Sequence, residues 1–91
     1  MTDDDGWQVE FTTAARRDLR RLDPPVRARV LSAVKGLLAD PAEGDIKRLA
    51  GVDPAEWRLR VGDWRVRFAR NHDQRLVVIK RVLPRGRAYR D

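Results

Sequence analysis

The run Glu56 to Phe68, EWRLRVGDWRVRF, holds the residues of this chain best suited to chemistry. Arg58 and Arg60 alternate with Trp57, Leu59 and Val61, and Arg65 and Arg67 alternate with Trp64, Val66 and Phe68. A period of two puts the guanidinium groups on one face of two strands and the apolar side chains on the other. Guanidinium donors match the geometry of phosphate oxygens and stabilise charge that builds on them. RNA brings its own nucleophile, the 2′-hydroxyl. Cleaving it requires that hydroxyl to be in line with the phosphate, the phosphorane oxygens to be neutralised and two protons to be moved. Tyr89 is the only tyrosine. It can act as a base where neighbouring cations lower its pKa from the ordinary value of about 10.

Other chemistries are poorly supplied. There are no cysteines, which excludes disulfides, thiol catalysis and cysteine-bound zinc. The single His72 lies in an expected turn and cannot hold a metal by itself, and the only serine, Ser32, lies in an expected helix. No carboxylate pair or acidic cluster stands out. No metal or other cofactor is expected.

The elements that must position the arginines can be read from the pattern. Gly62-Asp63 is a two-residue hairpin loop with Gly first. It sets Val61 opposite Trp64, Leu59 opposite Val66, Trp57 opposite Phe68, Arg60 opposite Arg65 and Arg58 opposite Arg67. Like charges directly opposite cost roughly 0.2–1 kcal/mol per pair. With no acidic counter-residue expected on that face, an anionic partner is implied. Residues 71–74 read as the next turn and 75–83 as the last strand. Pairing of Arg70 with Arg75 places Val77 against Phe68, Ile79 against Val66 and Lys80 beside Arg65, giving a basic row Arg60–Arg65–Lys80. Trp57 and Trp64 belong to the core.

Upstream, residues 7–11 alternate as a short strand. A helix follows with Thr12 or Thr13 as N-cap and Ala15, Leu19 and Leu22 on one face. A second helix starts at Asp23 with Pro24 in the first turn, carries the stripe Val26, Val30, Val34, Leu37 and Leu38, and ends at Asp40-Pro41. Residues 42–54 read as irregular. The expected fold class is α+β, in the order β-α-α-β-β-β. An antiparallel sheet packs on an N-terminal helical hairpin, as a single domain over 1–91.

Charge is unevenly spread. Residues 1–45 hold seven Lys/Arg and nine Asp/Glu, while residues 46–91 hold thirteen and five. The C-terminal half therefore carries the field that faces a polyanion. The helix arginines Arg16, Arg17, Arg20, Arg21, Arg27 and Arg29 read as a solvated face or as a secondary contact with rRNA or a protein partner. No apolar run approaches the length needed to cross a bilayer, and the acidic start MTDDDGW is unlike a secretory or transit peptide. A cytoplasmic protein that binds no membrane is expected.

A helical hairpin followed by IKRLAG, WRLRVGDWRVRF and VIKRVLPRGRAYRD resembles the RelE/ParE superfamily of bacterial type II toxins over nearly the whole chain. LRVGDWRV and RGRAY carry the resemblance most sharply. It implies the RelE-like microbial ribonuclease toxin fold and a partner antitoxin, small and acidic with a DNA-binding N-terminal half, in a hetero-oligomer. RelE-like members cleave mRNA in the ribosomal A site; ParE-like members poison DNA gyrase and lack the nuclease residues. By motif, the RelE-like working positions fall on Arg58, Arg60, Arg65, Arg85 and Tyr89. Lys47, Arg48, Arg67, Lys80 and Arg87 complete the expected RNA contacts. The family's second-strand lysines are arginines here, which stay charged and exchange protons poorly. The resemblance implies a metal-independent, ribosome-dependent mRNA endonuclease. The rivals are a gyrase inhibitor, and an inactive toxin-fold protein serving in a DNA-binding repressor complex.

Overall fold

The computed structural model describes residues 6–51 and 55–86. Five strands form one sheet: β1 (Gln8–Phe11), β2 (Asp45–Arg48), β3 (Trp57–Val61), β4 (Trp64–Asn71) and β5 (Leu76–Pro84). Their spatial order is β1-β5-β4-β3-β2. Two helices, α1 (Thr13–Arg20) and α2 (Pro24–Lys35), lie between β1 and β2 in the chain. The α+β class and the helical pair are as expected. The sheet differs in two respects. Residues 45–48, read as irregular, form the edge strand β2. The β1–β5 pair is parallel, whereas every other pair is antiparallel.

Thr12 starts α1, and its hydroxyl does two jobs. It accepts the N–H of Ala15 at 3.1 Å and donates to the Lys80 carbonyl at 2.9 Å, so the cap also ties the helix to β5. Asp23 occupies the N-cap of α2, but its side chain makes no capping bond. Arg27 of α2 instead turns back and donates to the Leu19 and Leu22 carbonyls at 2.9 and 2.8 Å, capping the C-terminal end of α1. The second helix ends earlier than Asp40. A 3₁₀ turn covers Gly36–Leu38. The Gly36 carbonyl accepts the N–H of Glu43 at 2.9 Å. A Cβ at Gly36 would meet the Glu43 carbonyl oxygen at 2.9 Å, so the returning chain needs glycine there.

The core lies between the helices and one face of the sheet. Trp7, Leu19, Val30, Leu37, Leu59, Val66, Phe68, Val77 and Ile79 are among its buried members. Trp57 and Trp64 are half-buried against it. Trp7 also receives the Arg70 guanidinium 4.0 Å above its ring. Arg70 donates on to the Ala39 carbonyl at 2.6 Å, joining β4 to the segment after α2. No helix among the described residues is long and apolar enough to cross a membrane.

Candidate nucleic-acid interface

The β3–β4 hairpin has the expected register, with Arg60 opposite Arg65 and Arg58 opposite Arg67. Gly62 takes φ +58° at the first loop position, as a Gly-first two-residue loop requires. The guanidinium groups therefore share the sheet face opposite the helices.

The β4–β5 register departs from expectation. Asn71 pairs with Leu76, Phe68 with Ile79 and Val66 with Val82. The loop is residues 72–75: Arg75 takes φ +51°, a turn conformation, and the Gln74 N–H bonds the Asn71 side chain at 3.0 Å. Between Arg67 and Phe68 the register shifts by a bulge whose extra residue is Lys80. Leu83, not Lys80, lies opposite Arg65. The expected row Arg60–Arg65–Lys80 is not formed.

The basic face also has acidic counter-residues, contrary to expectation. Glu56 is 8% exposed; its carboxylate takes Arg67 at 2.6 Å through one oxygen and Lys80 at 3.1 Å through the other. Asp45 of β2 sits 3.5 Å from Arg58. Asp18 of α1 receives Nε and Nη2 of Arg81 at 2.8 and 3.2 Å and the backbone N–H of Val82 at 2.9 Å. It thereby covers the edge of β5 just beyond the end of β1. Burial opposes the charged form of Asp18, but the bonds from Arg81 and Val82 and the charges of Arg81 and Arg21 outweigh it, leaving its carboxyl below the ordinary Asp value. Glu56 behaves alike: burial is outweighed by the bonds and charges of Lys80 and Arg67, and its carboxyl is also lowered. The Asp18 bond holds the Arg81 guanidinium still more firmly protonated.

These pairs sort the arginines into two groups. Arg58, Arg67 and Lys80 are engaged at one end of the face. At the other, Arg60 is exposed on β3 and Arg85 is exposed just after β5, and neither has an ion-pair partner among the described residues. Arg65 lies in the same hairpin but is 6% exposed. Its Nη1 donates to the Gly62 and Trp64 carbonyls at 3.3 Å each, so it braces the turn from within. The Arg85 N–H donates to the Asp63 carbonyl at 2.7 Å, which brings the end of β5 to the same loop. The backbones of Arg60, Arg65 and Arg85 thus come together at the hairpin end. Arg58 carries a buried Nε with no partner, as does Arg67. Lys47 and Arg48 are exposed on β2; Lys47 pairs with Arg58 on the basic face, and Arg48, opposite Trp57, points to the other. Tyr89 and Arg87 lie outside the described residues.

The residue-by-residue reading overlooked the acids. Glu56 stands two before Arg58, so the same period of two places it on the basic face. Asp18 lies within the apolar arc of its helix, between Ala15 and Leu22. The Arg70–Trp7 contact has no such signal.

Similarity to known proteins extends over most of the chain. The model of the ParE toxin of the type II toxin-antitoxin system parDE matches residues 9–89. The protein designated RelE1 of Methanocaldococcus jannaschii is 30% identical over 88 residues, covering 93% of this chain and 97% of that protein. The archaeal RelE-RelB complex of Pyrococcus horikoshii OT3 contains a chain similar to this one. The TM-score is 0.75 at 26% identity, covering 89% of this chain and 97% of the other. For the toxin-antitoxin complex RelBE2 of Mycobacterium tuberculosis the TM-score is 0.73 at 34% identity, with 87% and 98% covered. The basic sheet face built on two helices is therefore that of a toxin of a type II toxin-antitoxin system, and the chain belongs to the RelE/ParE superfamily as a RelE-like member.

Proposed function

We propose that this toxin is a metal-independent endoribonuclease that cleaves mRNA on the ribosome and so stops translation. The observation that carries the reading is the meeting of Arg60, Arg65 and Arg85 at one end of a sheet face, with Arg60 and Arg85 free of acidic partners among the described residues. Guanidinium donors at these positions match phosphate oxygens, and a bound anion would relieve the Arg60–Arg65 repulsion.

In this reading Arg65 and Arg85 clamp the scissile phosphate and neutralise its oxygens as the phosphorane forms. Arg60 and Arg58 take adjacent phosphates. Tyr89 is the proposed base and follows Arg85 by four residues in the sequence. Its phenolate removes the 2′-hydroxyl proton. The 2′-oxygen bonds to phosphorus, the bond to the 5′-oxygen breaks, and that oxygen takes up a proton. The products are a 2′,3′-cyclic phosphate and a 5′-hydroxyl. The RelE-RelB and RelBE2 complexes of the relatives support a cognate antitoxin for this chain; in this reading it is small and acidic and covers the same basic end.

Inducing the chain alone tests the reading. Growth and translation are expected to arrest, with new mRNA ends clustered in translated regions and carrying 5′-hydroxyls. A second reading, inhibition of DNA gyrase, draws support from the ParE description of the matching family model. Arrest with intact mRNA and cleaved DNA would establish it instead.

A further inference from the structure

The helix side of the molecule carries a second cationic surface. Arg16, Arg17, Arg20 and Arg21 are all exposed, and none has an ion-pair partner among the described residues. At about 100° per residue these four fall within an arc of about 140°, while Ala15, Asp18, Leu19 and Leu22 occupy a separate buried arc of about 100°. Arg16 with Arg20 and Arg17 with Arg21 are like-charge neighbours four apart, which destabilises a helix. The acid that could compensate them, Asp18, is turned inward and committed to Arg81 and Val82. The surface borders β5, whose end leads to Arg85. A recess of about 230 Å³ at the β5 edge is lined by Arg21, Asp18, Trp64, Arg81 and Pro84, the residue before Arg85.

We infer that α1 extends the RNA-contact surface. A single-stranded RNA held at Arg60, Arg65 and Arg85 passes over the β5 edge between Arg21 and Arg81, and its further phosphates lie on Arg16, Arg17, Arg20 and Arg21. This rests on the reading of the sheet site as RNA-binding. The favoured ligand is a flexible polyphosphate strand because the two cationic groups lie on different sides of the sheet, and a path between them over the β5 edge suits a flexible strand and not a rigid duplex. An acidic protein segment is the competing class.

The test uses 2′-O-methyl RNA, whose blocked nucleophile prevents cleavage, in lengths of about four and about twelve nucleotides. Binding is titrated against salt for the unaltered toxin and for the combined variant Arg16→Gln, Arg17→Gln, Arg20→Gln and Arg21→Gln. The longer strand is expected to show a log–log salt slope steeper than the short one by about 3, from four added phosphate contacts. In the variant that difference disappears, affinity for the longer strand falls at least about tenfold at low salt, and the short strand binds as before. The melting temperature is expected to hold or rise, because repulsion is relieved. The milder pair Arg20→Gln and Arg21→Gln should remove about half of the slope difference.

An unchanged long-strand affinity in the folded variant would overturn the inference. So would preferential binding of duplex RNA or polyglutamate to the α1 arginines. Failure of the short strand to bind the unaltered toxin would overturn the parent reading of the sheet site, and this one with it.

Discussion

Arg85 donates its backbone N–H to the Asp63 carbonyl over 2.7 Å, locking the residue after the last strand to the loop that precedes Arg65. The two arginines are twenty residues apart in the chain, and their approach is set by this bond and by Arg65's own grip on the Gly62 and Trp64 carbonyls. Arg85 is held through its backbone, which leaves its exposed side chain available. Arg65 is held through its guanidinium.

That difference separates their variants. Arg85→Ala is expected to lose cleavage by about 10²–10³-fold, the scale of removing one charge-stabilising donor. Its stability should stay within about 0.5 kcal/mol of the parent, as at other exposed sites. Arg65→Ala should lose cleavage as severely and also about 1–2 kcal/mol of stability, because two backbone carbonyls lose a donor at a buried position. Single-turnover cleavage beside thermal melts reads both. Normal cleavage by folded Arg85→Ala protein would remove the proposed phosphate clamp.

Glu56 restrains two cations that the proposed RNA reading would otherwise offer to phosphates. Glu56→Gln keeps the shape and removes the charge, releasing Arg67 and Lys80. RNA affinity should rise, and its salt slope should steepen by about 1–1.5, the signature of two further phosphate contacts. Stability should fall at the same time, because two partly buried cations lose their counterion. Weaker RNA binding by this variant would show that Arg67 and Lys80 serve only the fold.

The hairpin and its facing arginines were legible in the sequence because period-two alternation and a Gly-first loop determine one register between them. The β4–β5 register was not. Its loop holds no glycine, and the positive φ of Arg75 moves the first paired residue from Arg70 to Asn71. The bulge at Lys80 then shifts the remaining pairs by one more residue. Strand β2 escaped notice because DIKR is short and exposed at three of its four positions, so it shows no apolar alternation. The acidic counter-residues were legible in principle, since Glu56 and Asp18 each obey the period of their own element. A sheet face judged only by its arginines looks more strained than it is.

Acid should unfold this protein through the same carboxylates. Asp18 and Glu56 have native pKa values below their ordinary ones, so the folded state binds fewer protons than the unfolded state in acid. Their stabilisation is complete above the unfolded values near pH 4–5 and declines as pH falls through the lower native ones. The melting temperature is expected to be flat on this account above about pH 5 and to drop steadily below it. Asp18→Asn should be less stable at neutral pH by about 2–3 kcal/mol, because Arg81 and the Val82 N–H lose their charged acceptor. It should also show a shallower acid limb. An acid limb of unchanged steepness would mean that Asp18 is not held in its charged form.

Neutralisation by an antitoxin should act at the hairpin end. Asp45 stands opposite Arg60 in the β2–β3 register but its carboxylate reaches Arg58, and Glu56 holds Arg67, so the facing pair without an ion pair of its own is Arg60 with Arg65, extended by Arg85. An acidic segment laid there would supply counter-charge and occupy the place proposed for the phosphate. A partner that binds only the folded state stabilises it by about 4 kcal/mol at a thousandfold excess over its dissociation constant. The cognate complex is therefore expected to melt well above the free toxin and to lose RNA cleavage at one-to-one stoichiometry. Arg60→Gln should weaken antitoxin and RNA together, because the exposed Arg60 side chain serves both, whereas Lys35→Gln, on an exposed face of α2, should affect neither. The free toxin should gain stability as salt screens Arg60 from Arg65, a gain the complex lacks. A cognate antitoxin that leaves cleavage intact, or that binds the Arg60 variant at full strength, would place neutralisation elsewhere on the surface.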